Sequence, residues 1–267
     1  MFTNPFDRRR FLQMGFGSLG AMALSNTSQA MSMASTHHPA KAKSVILCYM
    51  SGGVSHVDSF DPKHMLTRMH GKSMPVKVQK TQFDNNGNIF KSPWEIKKYG
   101  QCGREHTTLF PHINKCADDI AVVRSMTAKF SEHAQGNFFM HSGFPFLGHP
   151  SAGSWINYGL GSVNDNIPGY VVLRNKTAYP HGGASVFGNG FLPATNCGSF
   201  FNLERQDAVD FIRPRHPLSE QRQNLDLMNQ LDEGFAARIA KAQEIKSSMA
   251  NYETAFKMQT AVPELTD

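Results

Sequence analysis

The densest group of side chains able to do chemistry follows an apolar run near the start of the chain. Residues 43–50 (KSVILCYM) are typical of a strand buried on both faces of a parallel sheet, and a turn at 51–53 follows. His56, Asp58 and Asp61 come next, where ligands bind in open α/β sheets. Carboxylate and imidazole groups suit divalent metals. The pattern predicts a metal site; alternatively, the two Asp residues cap a helix and His56 makes a loop hydrogen bond.

A second group of potential ligands lies further along the chain. Its four members could in principle bind zinc: Cys102, His106, His112 and Cys116. Their spacing matches none of the common zinc motifs, and core-type residues separate the two pairs. Cys48, in the first apolar run, is interpreted as a small core hydrophobe. An even number of cysteines permits disulfides in an exported protein but indicates no pairing.

Alternating strand and helix patterns are expected to position these groups. Besides 43–50, residues 119–126 and 169–174 read as strands, whereas 107–116, 132–142 and 150–160 read as helices. In the helix 132–142, His133, Asn137 and His141 share one face. Residues 181–200 lack either period and are expected to form an elaborate loop. The alternation predicts an α/β fold with a mostly parallel sheet flanked by helices.

The C-terminal part has a different character. Apolar residues recur at mostly three- and four-residue intervals across 219–260, which predicts a long amphipathic helix or a helical hairpin. Gly234 is the expected bend. The stripe is expected to pack against the domain, while an exposed surface for a protein partner is the alternative.

The first thirty residues have the three parts of a cleavable export signal. Arg8-Arg9-Arg10 precede Phe-Leu, and an apolar run spans 14–24. Ser28-Gln29-Ala30 then end the signal with small residues at the cleavage site. Paired arginines predict the twin-arginine route, hence the translocase as a partner and a periplasmic or secreted location. A basic amphipathic helix of a cytosolic protein and an uncleaved anchor stay open as alternatives. Residues 31–42 read as a polar tether to the domain at 43–267.

The charge of the chain excludes some functions. The net charge of +6 includes three Arg and one Asp of the signal, so the mature chain carries +4. Its basic residues are dispersed, which argues against a nucleic-acid partner. After Leu24 no segment is apolar and long enough to span a membrane, which takes about 20 residues.

Six strings cover nearly the whole mature chain, at 45–63, 118–126, 132–162, 166–173, 182–193 and 252–267. Together they resemble a family of exported sulfatase-like bacterial proteins known as domain of unknown function 1501. The resemblance implies the alkaline-phosphatase and sulfatase superfamily and a divalent metal, namely zinc, calcium or magnesium. It places the first carboxylate ligand at Asp58, with Asp61 as competitor and His56 as partner. The family is generally longer, so we expect an incomplete, N-terminal portion of that fold.

The resemblance also bears on the catalytic residues. In sulfatases a Cys or Ser nucleophile opens a helix that ends in a Thr-Gly pair. The corresponding helix here ends in Ser142-Gly143, and the matching opening position holds His133 rather than a hydroxyl or thiol. Ser131, two residues earlier, could substitute at the helix N-terminus, where an anion is favoured. His133 as a metal or anion ligand is the equal alternative.

Two functions follow as hypotheses. The first is a metal-dependent hydrolase of sulfate or phosphate esters, or part of one. The second is a non-catalytic exported binding or structural protein on a degenerate sulfatase-like scaffold, and the missing nucleophile favours it. A small sulfate or phosphate ester is the expected ligand in the first case.

Overall fold

The computed structural model describes residues 42–50, 53–77, 87–130, 132–174, 179–239 and 242–262. The chain divides into two compact units, Met1–Tyr49 and Met50–Asp267. In the first unit, described residues 42–49 form neither helix nor strand, and Ile46 is 85% exposed. The strand prediction for 43–50 is therefore wrong, and Cys48 is exposed rather than buried. An apolar run reports hydrophobicity, whereas a strand also requires a partner for its backbone groups.

The second unit contains four strands and six helices within the described ranges. The strands are β1 (Ile96–Tyr99), β2 (Arg104–Thr107), β3 (Val171–Arg174) and β4 (Ser199–Asn202). The helices are α1 (His64–Arg68), α2 (Pro111–Asn114), α3 (His133–Ser142), α4 (Ala152–Leu160), α5 (Leu218–Ala236) and α6 (Ala242–Ala261). Short 3-10 helices lie at His56–Asp58, Gly183–Phe187 and Ala194–Asn196. None of the described helices is long and apolar enough to cross a membrane.

Strands β1 and β2 form an antiparallel hairpin in which Ile96 pairs with Thr107 and Tyr99 pairs with Arg104. Gly100 opens the turn with a φ of 66°, and an added Cβ there would collide with the Asp118 carboxylate. That carboxylate accepts the backbone N–H groups of the next two turn residues. The helix predicted for 107–116 is thus reduced to α2, since Thr107 is the last residue of strand β2.

Strands β3 and β4 are parallel, with Val171 opposite Ser199. This pair confirms the strand predicted at 169–174 and the α/β character. A large parallel sheet is not present in the described ranges, where each sheet has two strands. Residues 119–126 form no strand, and Val123 is 66% exposed, so that prediction is also wrong. The expected loop at 181–200 contains two 3-10 helices and the start of β4.

Helices α3 and α4 confirm the predictions for 132–142 and 150–160. Each begins with a side-chain cap: Glu132 accepts from two backbone amides of α3, and Ser151 accepts from Ser154 N. In α3 the polar face is the inner one, because Asn137 and His141 are buried whereas Met140 is exposed. The bulkier aromatic face is only partly covered.

The main hydrophobic core joins β4, the loop after it and the end of α6. Its buried members are Phe201, Ala208, Ile212, Met258 and Val262, and Val171 packs against them. Helices α5 and α6 confirm the predicted helical hairpin. Gly234 lies within α5, which continues to Ala236, so the bend comes after the predicted position. A single Gly in a helix costs only about 1 kcal/mol relative to Ala and need not end it.

Candidate functional site

The segment that holds the predicted metal ligands is a tight backbone turn. Ser59 N and Asp61 N both donate to the His56 carbonyl, at 3.2 and 2.9 Å, and Ser59 Oγ donates to the Ser55 carbonyl at 2.7 Å. The three side chains on this turn differ in how far they are buried. His56 is exposed, Asp58 is half-buried and Asp61 is only 7% exposed.

Strand β2 fixes this turn from the side. Thr107 N donates to the Ser59 carbonyl at 2.9 Å, and Thr107 Oγ1 donates to the Asp58 carbonyl. Thr107 and Ser59 are both almost completely buried. In these contacts Asp58 takes part through its backbone, so its position serves the attachment of the turn to β2.

Two cations engage the Asp61 carboxylate. Lys63 Nζ lies 2.7 Å from one oxygen, and Arg124 Nε lies 3.5 Å from the other. Arg124 Nη2 also donates to the carbonyls of Phe60, at 3.2 Å, and Glu105, at 3.4 Å. Its guanidinium therefore ties residues 60–61 to β2, although residues 119–126 around it form no strand.

A histidine and a glutamate complete the polar surface beside these ions. His64 Nε2 lies 3.0 Å from Glu105 Oε2, and both side chains are exposed by more than a third. We call the group Asp61, Lys63, His64, Glu105 and Arg124 the Asp61 cluster. Its buried member is acidic, and its two cations are about half exposed.

Beneath the cluster lies His106, which is fully buried. Asn114 Nδ2 donates to the Thr107 carbonyl at 2.7 Å, which turns Asn114 Oδ1 toward His106 Nδ1 at 3.1 Å. Because an amide oxygen only accepts, Nδ1 carries the proton and Nε2 is the unprotonated nitrogen. His106 Nε2 has no hydrogen-bond partner among the described residues.

Burial is the main reason why the pKa of His106 is lowered, and Arg104 and Arg124 act in the same direction. The Asn114 hydrogen bond opposes this effect and is weaker. Phe60 packs edge-on against the imidazole, with ring centroids 5.3 Å apart. His106 is thus a neutral core histidine at neutral pH.

These residues do not fit the divalent metal that the resemblance implies. Across the described ranges, no three His, Cys, Asp or Glu side chains gather as a metal site. Asp61 is occupied by cations, and His56 and Asp61 differ strongly in depth. The zinc alternative does not assemble in the described ranges either, since His106 is buried while Cys102 and Cys116 are exposed.

The predicted catalytic position lies at the start of α3. Ser131 falls outside the described residues. His133 is exposed, and its ring stacks on that of His181 with centroids 6.1 Å apart. The amides of Ala134 and Gln135 donate to the Glu132 carboxylate, at 2.8 and 3.3 Å. The anion position of this helix is therefore filled by a side chain of the protein itself.

Sequence reasoning missed Lys63, His64, Glu105 and Arg124 as members of one cluster. One signal was available: an Arg inside the apolar run 119–126 requires a partner if the run is buried. The partner lies 63 positions earlier, and no local pattern identifies it.

Comparison with known proteins gives one result. No curated protein and no solved structure matches the chain significantly. A family model described as a protein of unknown function, DUF1501, matches residues 42–267. The match spans both the Asp61 cluster and the helical hairpin, and the chain is a member of the DUF1501 family.

Proposed function

We propose that this protein is an exported, non-catalytic binding protein, and that the Asp61 cluster binds a small sulfate or phosphate ester. The observation that supports the proposal is the convergence of Lys63 and Arg124 on one buried carboxylate. Both cations are about half exposed, so a ligand can approach them from solvent.

The cations beside Asp61 favour an anion. Lys63 and Arg124 both face this one carboxylate, whereas Glu105, the other acid of the cluster, lies against His64, so the cluster as a whole has no net charge when His64 is neutral. A guanidinium donates hydrogen bonds to the oxygens of phosphate or sulfate, and a lysine adds a point charge. Since Nε and Nη2 of Arg124 already contact Asp61 and two carbonyls, Nη1 is the nitrogen that would bind the ligand. Arg124 is also held in place by two backbone carbonyls, so little side-chain freedom would be lost on binding.

The same contacts argue against Asp61 as a metal ligand. A divalent cation at this carboxylate would lie next to Lys63 and Arg124, and like charges in contact repel. The proposal therefore involves no bond breaking: the residues of the cluster bind and orient the ester.

The variant Asp61→Asn separates the two hypotheses. It removes the negative charge that competes with the ligand, so we expect inorganic sulfate and phosphate to bind about fivefold more tightly, since two unit charges about 4 Å apart in water interact by about 1 kcal/mol. Isothermal titration calorimetry measures the effect. Arg124→Met should weaken binding, and Asp207→Asn, in the exposed Arg213–Asp207 pair, should not change it.

A metal-dependent hydrolase would give a different result from a binding protein. Release of nitrophenol from nitrophenyl sulfate or phosphate after addition of zinc, calcium or magnesium would support the hydrolase. Loss of that turnover in Asp61→Asn would identify the carboxylate as a ligand. Unchanged anion affinity in both Asp61→Asn and Arg124→Met would reject the cluster as the binding site.

We further propose export by the twin-arginine translocase to the periplasm or beyond, on the basis of Arg8, Arg9 and the apolar run that follows. Replacing both arginines by lysine should retain the protein inside the cell, as measured by fractionation and immunoblotting. Equal export of the variant would contradict this route.

A further inference from the structure

The helical hairpin is clamped by ions on one side. Arg222 donates to both oxygens of Glu253, each at 2.8 Å, and Asn229 Nδ2 donates to Glu253 Oε1 at 2.9 Å. Arg222 also packs over the Phe256 ring at 5.2 Å. These contacts fix the register of α5 against α6 and hold the hairpin as one unit.

The hairpin borders an open groove of about 440 Å³ between α5, α6 and the loop at 209–212. Its walls are mostly apolar and include Phe211, Met228 and Tyr252, which are 72%, 43% and 50% exposed. Asp210 is the charged residue among those that line it. A sulfate or phosphate ester therefore finds no cation in the groove lining.

Phe211 is held in an unusual conformation. Its φ is 60°, a left-handed value that non-glycine residues rarely adopt, and Gln259 Nε2 donates to its carbonyl at 3.3 Å. Arg215 covers one face of its ring at 4.9 Å from the centroid. Strained residues of this kind persist where the surroundings fix them, and they are frequent at binding sites.

The apolar surface continues beyond the groove along α5. Leu231 and Phe235 follow Met228 at intervals of three and four residues and are 65% and 51% exposed. Residues at this spacing share one helix face. From Met228 to Phe235 the strip is about 10 Å long at 1.5 Å per residue, which matches about two turns of a helix laid along it.

The charge of α5 indicates that the polar side of the occupant is basic. Helix α5 carries four acidic side chains, Glu220, Asp226, Asp232 and Glu233, and one arginine, Arg222. Arg222 is already engaged by Asp226 and Glu253, and Glu220 lies 3.6 Å from His216, so Asp232 and Glu233 are the acids of α5 without an ion pair among the described residues. This acidic helix stands out in a chain whose net charge is +6.

We propose that the hairpin face, defined as Phe211, Met228, Leu231, Phe235 and Tyr252, binds an amphipathic helix with a basic flank from a partner protein. The apolar side of that helix would lie in the groove and along α5, as in other helix-in-groove complexes. Its basic flank would meet Asp232, which follows Met228 by four residues and so lies beside the strip. The surface is distinct from the Asp61 cluster and goes beyond the proposed ester binding.

The test uses the full mature chain and two synthetic peptides of 18 residues with the same leucine pattern. One has lysine and the other glutamate at its polar positions. Fluorescence anisotropy should show tighter binding of the lysine peptide by about tenfold or more, although the protein as a whole is basic. The double variant Leu231→Ser/Phe235→Ser should weaken it by about tenfold or more, because central apolar anchors dominate such interfaces.

The control is Leu160→Ser, at the end of α4, where the side chain is 82% exposed. This variant should bind the lysine peptide like the parent chain. Both substituted sites are exposed, so unchanged thermal unfolding confirms that the variants fold. Sulfate affinity, measured in parallel, reports on the Asp61 cluster separately.

Three results would overturn the proposal. One is equal affinity for the lysine and glutamate peptides, or no binding of either. Another is an equal loss in Leu160→Ser. The third is a dimer, detected by light scattering, that Leu231→Ser/Phe235→Ser dissociates, since a second copy would then occupy the face.

Discussion

Two regions of the molecule are held together in opposite ways. One is the Asp61 cluster with the buried His106, and the other is the helical hairpin. Around His106, the regular elements are only four residues long, namely β1, β2 and α2, and buried polar groups such as Asn114, Thr107 and Ser59 make the contacts. In the hairpin, the backbone is regular over 19 and 20 residues, and partly exposed ions join the helices. Buried hydrogen bonds are costly to break, whereas ion pairs in contact with solvent contribute less. The first region should therefore be fragile to single substitutions, and the second tolerant.

The largest expected effect is that of Asn114→Ala. It removes the partner of His106 Nδ1 and of the Thr107 carbonyl, both buried, and should lower the free energy of unfolding by about 2–4 kcal/mol. Urea denaturation measures it. The exposed Asn251→Ala on α6 serves as the control, and a loss below 0.5 kcal/mol or so for Asn114→Ala would break the contrast between the regions.

A smaller effect should depend on pH. The pKa of His106 is lowered in the folded protein, so the unfolded chain binds more protons around pH 6.5. Stability should accordingly be constant above that pH and fall as the pH drops below it. The urea midpoint at pH 7.5 and 5.5 tests this. His106→Gln should flatten the dependence, and an equal slope in that variant would assign it to other groups.

In the hairpin, Arg222→Met should lower Tm less than Asn114→Ala does. The methionine keeps contact with Phe256, while the lost ion pairs with Glu253 and Asp226 are partly exposed to solvent, with the side chains of Arg222, Glu253 and Asp226 being 33%, 33% and 56% exposed. Differential scanning calorimetry of both variants gives the comparison. A larger drop for Arg222→Met would show that the ion clamp, rather than the buried polar groups, dominates stability.

The smallest expected effect on stability is that of Phe211→Gly. Glycine adopts a φ of 60° without strain, and the lost ring is 72% exposed, so Tm should not fall. Binding of the lysine peptide should weaken nonetheless. Loss of folding in this variant would show that the ring stabilises the loop and is not reserved for a partner.

The sequence predicts local features of this protein well and distant ones poorly. Helices α3 and α4 begin at side-chain caps, and α5 and α6 follow from a 3.6-residue period; neighbouring residues determine both features. The apolar runs at 43–50 and 119–126 suggested strands, but pairing depends on residues far along the chain. The same limit applies to the site: Asp61 was identified, but its contact with Arg124 was not.

The separation of contacting residues also bears on the order of folding. Phe60 and Arg124 are 64 positions apart, whereas Arg222 and Glu253 are 31 apart in a hairpin of two consecutive helices. Each doubling of loop length adds only about 0.6 kcal/mol to closure, but helical neighbours form contacts early and long-range polar contacts form late. The hairpin should thus be an early unit in refolding, and the Arg124 contact one of the last. If the chain is exported in the folded state, as proposed above, the closing of Arg124 onto Phe60 would be among the last steps before it can leave the cell.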